Sequence, residues 1–108
     1  MKPTPRELLS YVTEEGRCPF EDWLSKLRDV TGRVLIRKRL NRVRLGNLGS
    51  TRSVGEGVLE LKIDFGPGYR VYFGEDGPTI VVLLIGGDKS SQERDILKAK
   101  KYWKDYHA

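Results

Sequence analysis

The sequence predicts an α+β fold in which two N-terminal helices and one C-terminal helix pack on a mainly antiparallel sheet. Apolar residues recur at helical spacing near both ends of the chain, and between them they alternate with period two, interrupted by glycine turns. The chain has 108 residues, of which 38% are hydrophobic. We therefore expect a single domain over residues 1–108, with one modest core.

The N-terminal part is predicted to contain one strand and one helix. Glu7 to Thr13 is the predicted strand, and the Glu14-Glu15-Gly16 turn closes it. Pro19 suits the first turn of a helix, because the N–H that proline lacks has no partner there. Apolar residues follow at helical spacing and predict a face turned toward the core: Phe20, Trp23, Leu24 and Leu27.

A second helix is predicted after a short connection. Thr31 is the expected N-cap, the helix runs to about Leu45, and Gly46-Asn47 ends it. The inward stripe of this helix consists of Ile36, Leu40 and Val43. Another face is basic, because steps of four and seven residues return to nearly the same angle on a helix and bring together Arg33, Arg37 and Arg44.

Three strands are predicted in the C-terminal half. Val58 to Phe65 and Tyr69 to Phe73 form a hairpin around the turn Gly66-Pro67-Gly68. Thr79 to Ile85 contains no charged residue, which indicates a central strand buried on both faces. Gly86-Gly87 is expected to end that strand.

The chain is predicted to close with a helix. Ser90-Ser91-Gln92-Glu93 matches a capping box, from which a helix runs to about Tyr106. The predicted element order is therefore β-α-α-β-β-β-α.

Positive charge is concentrated in one segment. Lys and Arg outnumber Asp and Glu by 20 to 15 overall, yet residues 26–52 hold nine basic residues and a single acidic residue, Asp29. Such a segment has two interpretations: it is a solvated helix face, or it is a surface for nucleic acid or an acidic partner.

Composition disfavours several kinds of site. Cys18 is the only cysteine, so an intrachain disulfide is excluded and no cysteine cluster can bind a metal. His107, the only histidine, lies beside the C-terminus. The longest apolar run, Ile80 to Ile85, is too short to cross a bilayer, and no signal peptide is evident. We expect a cytoplasmic protein without a membrane segment, a metal or another cofactor.

Alternation along the hairpin predicts a group of polar side chains on one face of the sheet. If the apolar residues of both hairpin strands face the core, the residues between them point the other way. Those residues are Glu60, Lys62, Asp64, Arg70 and Tyr72. Lys62 and Arg70 then share a face, and Lys89, just past the last strand, approaches that surface from its rim.

This group suggests chemistry on phosphodiesters. Lys62, Arg70 and Lys89, with Tyr72 nearby, would bind a phosphodiester and stabilise the negative charge that develops on phosphorus during cleavage. RNA supplies its own nucleophile, the 2′-hydroxyl, so such a site needs no metal. The alternative is that Glu60 and Asp64 pair with these cations as ordinary cross-strand partners.

Two motifs occur in the same half of the chain, Gly66-Pro67-Gly68-Tyr69-Arg70 and Gly86-Gly87-Asp88-Lys89-Ser90. Further segments accompany them at residues 20–24, 39–42, 46–47, 60–73, 84–92 and 99–103. Together they resemble the addiction-module killer proteins, which form the HigB-like branch of the RelE/ParE superfamily of bacterial type II toxin–antitoxin systems. The resemblance covers nearly the whole chain.

The resemblance implies a small fold with two N-terminal helices on an antiparallel sheet. It implies a toxin that cleaves messenger RNA in the ribosomal A site and is neutralised by a tightly bound antitoxin, usually a helix-turn-helix protein. Contact with DNA would then occur only through the antitoxin. No cofactor and no membrane are implied.

Residue roles follow by position. Arg70 matches the arginine after Gly-Tyr in the RelE-type hairpin and would stabilise the scissile phosphate. Lys89 matches the basic residue after the last strand and would bind phosphate or assist the leaving group. Lys62 matches the second hairpin lysine if one residue is gapped at the turn, and would act as a base or an electrostatic stabiliser. The arginine face of the second helix would bind ribosomal RNA, with Tyr72 as a further contact.

The chain also departs from the RelE pattern. Glu60 occupies the place of the first hairpin lysine, and the tyrosine that activates the 2′-hydroxyl has no clear counterpart near Asp95. Asp105-Tyr106-His107 resembles the end of some HigB-type enzymes, but here it follows a predicted helix, whereas theirs follows a strand. Two alternatives therefore stay open: a ParE-like inhibitor of DNA gyrase that cleaves no RNA, and a binding module that only engages its antitoxin.

Overall fold

A computed structural model describes residues 4–108. Over this range the chain forms five strands and three α-helices: β1 (Glu7–Ser10), α1 (Pro19–Lys26), α2 (Val30–Arg44), β2 (Thr51–Gly55), β3 (Val58–Ile63), β4 (Tyr69–Asp76), β5 (Ile80–Asp88) and α3 (Gln92–Tyr106). The strands make one sheet in the order β1-β5-β4-β3-β2. β1 runs parallel to β5, and the other neighbours are antiparallel. The predicted α+β class and the mainly antiparallel sheet are confirmed.

The two N-terminal helices cover one face of the sheet. Their apolar stripes are buried as predicted, with Phe20 and Leu24 on α1 and Ile36, Leu40 and Val43 on α2. They pack against alternate strand residues, among them Leu61, Val71, Phe73 and Leu83. Burying these side chains removes apolar surface from water, which is the main stabilising contribution to a core. We call this side the helical-hairpin face.

The C-terminal helix covers the opposite face, here called the α3 face. Ala99 and Trp103 on α3 pack with Val58, Leu84 and their neighbours in a second apolar cluster. Trp103 lies directly over Gly74 of β4, where a Cβ atom would meet the indole ring at 2.6 Å. Glycine at this position therefore lets the tryptophan approach the sheet closely.

β5 is the central strand that the sequence predicts, but it is longer. From Ile80 to Leu84 its residues alternate between the two apolar clusters, so both faces are covered, and an irregularity in its pairing with β4 puts Ile85 in the same cluster as Leu84. Gly86-Gly87 was expected to end the strand, yet β5 continues to Asp88. Trp23 packs on Gly86, and the carboxylate of Asp95 lies against Gly87, where in both cases a Cβ atom would clash. These glycines mark close approaches and not a strand end.

One strand is absent from the sequence prediction. β2 has only one strongly apolar residue, Val54, and lies mostly exposed at the edge of the sheet. Its position is set by pairing with β3, in which Thr51 opposes Leu61 and Arg52 opposes Glu60. An exposed edge strand carries little apolar alternation, so the sequence pattern does not predict it.

Two helix caps differ from the predicted ones. Asp29, not Thr31, caps α2, because its carboxylate accepts the Gly32 N–H at 2.9 Å. Asp88, not Ser90, caps the 3₁₀ turn Lys89–Ser91 that leads into α3, and it accepts the Ser90 N–H at 2.8 Å. None of the helices within residues 4–108 has the length and apolar character needed to cross a membrane.

Candidate nucleic-acid interface

An open pocket of about 250 Å³ lies at one end of the α3 face. α3 begins beside it and runs toward Gly74 at the far end of the hairpin, so the helix leaves this end of the sheet uncovered. The pocket is lined by residues from β2, β3, β4, the start of α3 and the loop before β2: Ser50, Thr51, Arg52, Glu60, Lys62, Arg70 and Gln92. We call it the hairpin pocket.

Lys62 and Arg70 stand directly opposite each other on β3 and β4, on the face that the alternation predicts. The Lys62 side chain is 48% exposed, and its ammonium lies 3.2 Å from the carboxylate of Asp64. Lys62 therefore pairs with Asp64, but Asp64 follows the end of β3 and is not the predicted cross-strand partner. An exposed pair of this kind contributes little to stability and leaves the ammonium accessible.

Arg70 is much less accessible than Lys62, with 6% of its surface exposed. Its Nη1 donates a hydrogen bond to the carbonyl oxygen of Gly68 at 2.6 Å. Its Nε lies 3.9 Å from Glu60 and has no hydrogen-bond acceptor among residues 4–108. A buried donor without an acceptor is costly in a folded protein. Arg70 therefore lines the hairpin pocket as a cation held in place by Gly68 and Glu60, with its Nε enclosed by protein.

Glu60 is a buried carboxylate on which several donors converge. Arg52 Nε donates to it at 2.8 Å, Gln92 Nε2 at 2.9 Å and the Tyr72 hydroxyl at 3.0 Å. Burial alone would raise the pKa of Glu60, but the hydrogen bonds from these three side chains outweigh it and lower the pKa. Glu60 is therefore ionised at neutral pH and orders the floor of the pocket.

Tyr72 does not stand where an RNA contact requires it. Its side chain is completely buried beneath the α3 face, and its hydroxyl donates to Glu60. Burial, with the hydrogen bond to Glu60, raises the pKa of the Tyr72 phenol far above its usual range. Alternation correctly assigns its face, but α3 covers that face at this position. In this structure Tyr72 supports Glu60 and presents no ring surface for base stacking.

Lys89 lies at the rim of the site, at the first position of the 3₁₀ turn. Gly68 separates it from Arg70: a Cβ atom on Gly68 would lie 3.0 Å from Arg70 Nη1 and 3.7 Å from Lys89 Cβ. Gly68 has a φ of +81°, a conformation that glycine adopts easily. Gln92 borders the hairpin pocket and a neighbouring depression lined by Lys89 and Arg94. Lys62, Arg70 and Lys89 thus lie at one end of the sheet, as predicted.

The predicted arginine face is not beside this site. Arg37 and Arg44 line a different pocket on the helical-hairpin face, together with Leu8 of β1 and Leu40 of α2. Arg33 is absent from that lining, and its Nη1 donates to the carbonyl oxygen of Leu27 at 3.0 Å. The sheet lies between these arginines and the hairpin pocket, because α2 packs on the opposite face from α3.

Three contributors to the site are not identified from the sequence. Arg52 reaches the pocket from the unpredicted strand β2, and Gln92 enters it as the first residue of α3. Asp95 is buried against Gly87, which pairs with Arg70 across β4 and β5, and it accepts a hydrogen bond from Ser91. Burial raises the pKa of Asp95. The sequence does contain a signal for Arg52: it lies eight residues before Glu60 with a short glycine turn between them, which is the spacing of cross-strand partners in a hairpin.

Within residues 4–108, no three or more His, Cys, Asp or Glu side chains are grouped so that they could hold a metal ion. The hairpin pocket is lined by three cations, one ionised carboxylate and neutral hydrogen-bonding groups. A single negative phosphodiester fits this set, because Lys62, Arg70 and Arg52 together exceed the combined charge of Glu60 and Asp64.

Comparison with known proteins identifies a relative. The chain is 47% identical over 81 residues to an uncharacterized protein of Haemophilus influenzae (strain ATCC 51907 / DSM 11121 / KW20 / Rd). The aligned part covers 75% of this chain and 82% of that protein. No protein-family model matches the chain. No solved structure matches it.

Proposed function

We propose that this chain, which belongs to the same protein family as the Haemophilus influenzae protein, is the toxin of a type II toxin–antitoxin module. It is a cytoplasmic endoribonuclease of the RelE/ParE superfamily, and it cleaves messenger RNA on the ribosome without a metal. A helix-turn-helix antitoxin binds and neutralises it, and it meets DNA only through that antitoxin.

One observation carries the proposal. Lys62 and Arg70 face each other across β3 and β4 and line the same open pocket. A phosphodiester in that pocket would lie close to the accessible ammonium of Lys62 and in the field of the fixed guanidinium of Arg70. Donors fixed before the substrate arrives stabilise developing charge without reorganisation.

The reaction that suits this site is internal transfer within RNA. The 2′-oxygen forms a bond to phosphorus and gives its proton to a water molecule, while the bond from phosphorus to the 5′-oxygen breaks and that oxygen gains a proton. The products are a 2′,3′-cyclic phosphate and a 5′-hydroxyl. Arg70 stabilises the charge on the phosphoryl oxygens. Lys89, at the rim, would supply the proton to the leaving oxygen and regain it from water.

Lys62 and Glu60 have supporting roles in this scheme. The carboxylate of Asp64 beside Lys62 supports an electrostatic role for the ammonium and not a role as the base. Glu60 has both of its oxygens engaged by hydrogen bonds, so it orders Arg52 and Gln92 and does not take the 2′ proton.

Mapping of RNA 5′ ends in cells tests this function. After induction of the wild-type chain without antitoxin, we expect new 5′ ends inside translated codons. Lys62→Ala should remove most of these new 5′ ends. Lys38 is an exposed lysine of α2, and Lys38→Ala should leave the new ends in place. If induction stops growth but creates no new ends within codons, the endoribonuclease proposal is wrong.

A second candidate function is supported by the same pocket. The residues that could serve as the base are engaged: Tyr72 is buried and hydrogen-bonded, and Glu60 is saturated with donors. Such a site can bind an acidic group of a partner without cleaving RNA. That behaviour fits a gyrase inhibitor or a module that only engages its antitoxin. A supercoiling assay with purified gyrase separates these possibilities, since only the gyrase inhibitor reduces supercoiling.

A further inference from the structure

β1 is an edge strand with one unpaired side. Its only partner strand within residues 4–108 is β5, to which Glu7 and Tyr11 are joined by backbone hydrogen bonds on the β5 side. Because backbone groups alternate along a strand, the N–H and C=O groups of Leu8 and Ser10 point away from the sheet. The backbone carbonyl oxygen of Arg44 accepts the Arg6 N–H at 2.7 Å, so the end of α2 covers the start of this edge.

A pocket lies on each side of this open edge. On the helical-hairpin face, a pocket of about 220 Å³ is lined by Leu8 and Ser10 of β1 together with Arg37 and Arg44 of α2. On the α3 face, a pocket of about 440 Å³ is lined mainly by apolar and aromatic side chains, Leu9, Tyr11, Val12, Val82 and Tyr106, with two carboxylates, Glu14 and Asp105, that would repel an acidic side chain there. Ser10 borders both pockets.

The two pockets differ in chemistry. The first carries two arginines against a single acidic residue, Glu21, and neither Arg37 nor Arg44 takes part in an ion pair described within residues 4–108. The second presents exposed apolar surface, since Leu9 is 38% and Val12 is 55% exposed. Side chains of an added strand alternate between the two faces of a sheet. A strand laid along β1 would therefore place alternate side chains in a basic pocket and an apolar pocket.

From this geometry we infer that the β1 edge binds an extended segment of a partner protein in which acidic and apolar residues alternate. The backbone of the segment pairs with Leu8 and Ser10, its acidic side chains reach Arg37 and Arg44, and its apolar side chains enter the pocket beside Leu9. This surface is separate from the hairpin pocket, which lies at the other edge and on the opposite face from the arginines. The inference therefore does not depend on RNA cleavage.

Binding of designed peptides to the full chain tests this inference. The probe is a capped, fluorescent peptide about seven residues long in which Glu alternates with Val, a length that spans a typical strand. We expect measurable binding by fluorescence anisotropy. A peptide that alternates Lys with Val should bind at least about tenfold more weakly because of the arginines. N-methylation of the amides on one edge of the peptide should also abolish binding, although it leaves every side chain in place.

Protein variants provide matched controls. Arg37→Glu should weaken binding of the acidic peptide by about tenfold and strengthen binding of the basic peptide. Lys38→Glu makes the same charge change outside the pocket and should leave binding of both peptides unchanged. Ser10→Pro removes a backbone N–H that points away from the sheet and leaves the hydrogen bonds to β5 intact. It should abolish peptide binding, while circular dichroism shows that the chain remains folded.

Three results would overturn the inference. The first is absence of binding at millimolar peptide by the folded wild-type chain. The second is binding that N-methylation or Arg37→Glu does not alter. The third is self-association of the chain through β1, seen as a dimer that Ser10→Pro converts to a monomer, because the edge would then serve a second copy and not an acidic segment.

Discussion

The hydroxyl of Tyr69 donates a hydrogen bond of 2.7 Å to the carboxylate of Asp29. Tyr69 directly precedes Arg70, and Asp29 is the N-cap of α2, so this bond joins the helical hairpin to the strand that carries the central cation of the site. Hydrogen bonds from the Gly32 N–H and from Tyr69 lower the pKa of Asp29. The two halves of the fold are thus fastened together next to the hairpin pocket.

Tyr69→Phe should destabilise the protein by about 1 kcal/mol at neutral pH, because it removes a hydrogen bond to an ionised group. Asp29 has a lowered pKa, so its bonds contribute stability above the ordinary Asp pKa, and that contribution is lost as the pH falls through the lower pKa of the folded state. The difference between Tyr69→Phe and wild type in urea unfolding should therefore shrink below about pH 4. A difference that is constant down to pH 2 would contradict this assignment.

Gly74→Ala should destabilise the fold by about 1–3 kcal/mol, because the added methyl group meets the Trp103 ring at the α3 face. Thermal unfolding measures the loss. Ser53→Ala, in the exposed edge strand β2, is the control and should change stability little. Equal Tm values for the Gly74 variant and wild type would show that the Trp103 ring does not pack closely against Gly74.

Glu60→Gln should strengthen RNA binding, because among residues 4–108 Glu60 is the one acidic side chain that lines the hairpin pocket. We expect tighter binding of a short single-stranded RNA and a salt dependence steeper by about one ion. Glu56→Gln makes the same charge change at the β2–β3 turn, outside the pocket, and should have a smaller effect. Equal effects of the two variants would mean that RNA responds only to the overall charge of the protein.

Asp95→Asn should raise stability at neutral pH. Burial raises the pKa of Asp95, so the folded state retains a proton more readily than the unfolded state, and the ionised form costs stability as the pH rises above about 4. Asn keeps an oxygen for the Ser91 hydroxyl and never ionises. The gain in Tm should therefore be present at pH 7 and decrease as the pH falls toward 4. A variant less stable than wild type at both pH values would contradict this prediction.

Much of the fold follows from local pattern. The helical spacing of Phe20, Leu24, Ile36 and Leu40 and the alternation around Leu61 correctly predict which side chains form the core. These patterns are strong because a whole face of each element is buried.

What the sequence does not predict depends on tertiary contacts. β2 exists because it pairs with β3, and β5 passes through Gly86-Gly87 because Trp23 and Asp95 need the space. The caps Asp29 and Asp88 were missed because Thr31 and Ser90 are equally suitable by residue type. Only three-dimensional geometry selects between such neighbours.

The sequence likewise predicts part of the site and not the rest. Alternation predicts that Lys62 and Arg70 share a face, and the register of the hairpin in the structure pairs them directly. The burial of Tyr72 and the position of Arg37 do not follow, because they depend on which face of the sheet each helix covers. The sequence pattern indicates that the sheet has two faces, but it does not indicate which helix covers which face.

Chemical-shift mapping tests the central claim most directly. The isotopically labelled chain is titrated with a short RNA carrying 2′-O-methyl groups, which cannot be cleaved through the 2′-oxygen. If the hairpin pocket binds the phosphodiester, the largest changes will fall on the amides of Lys62, Arg70 and Gln92, and Arg37 and Arg44 will change little. Changes confined to Arg37 and Arg44, with none at the hairpin pocket, would contradict the account.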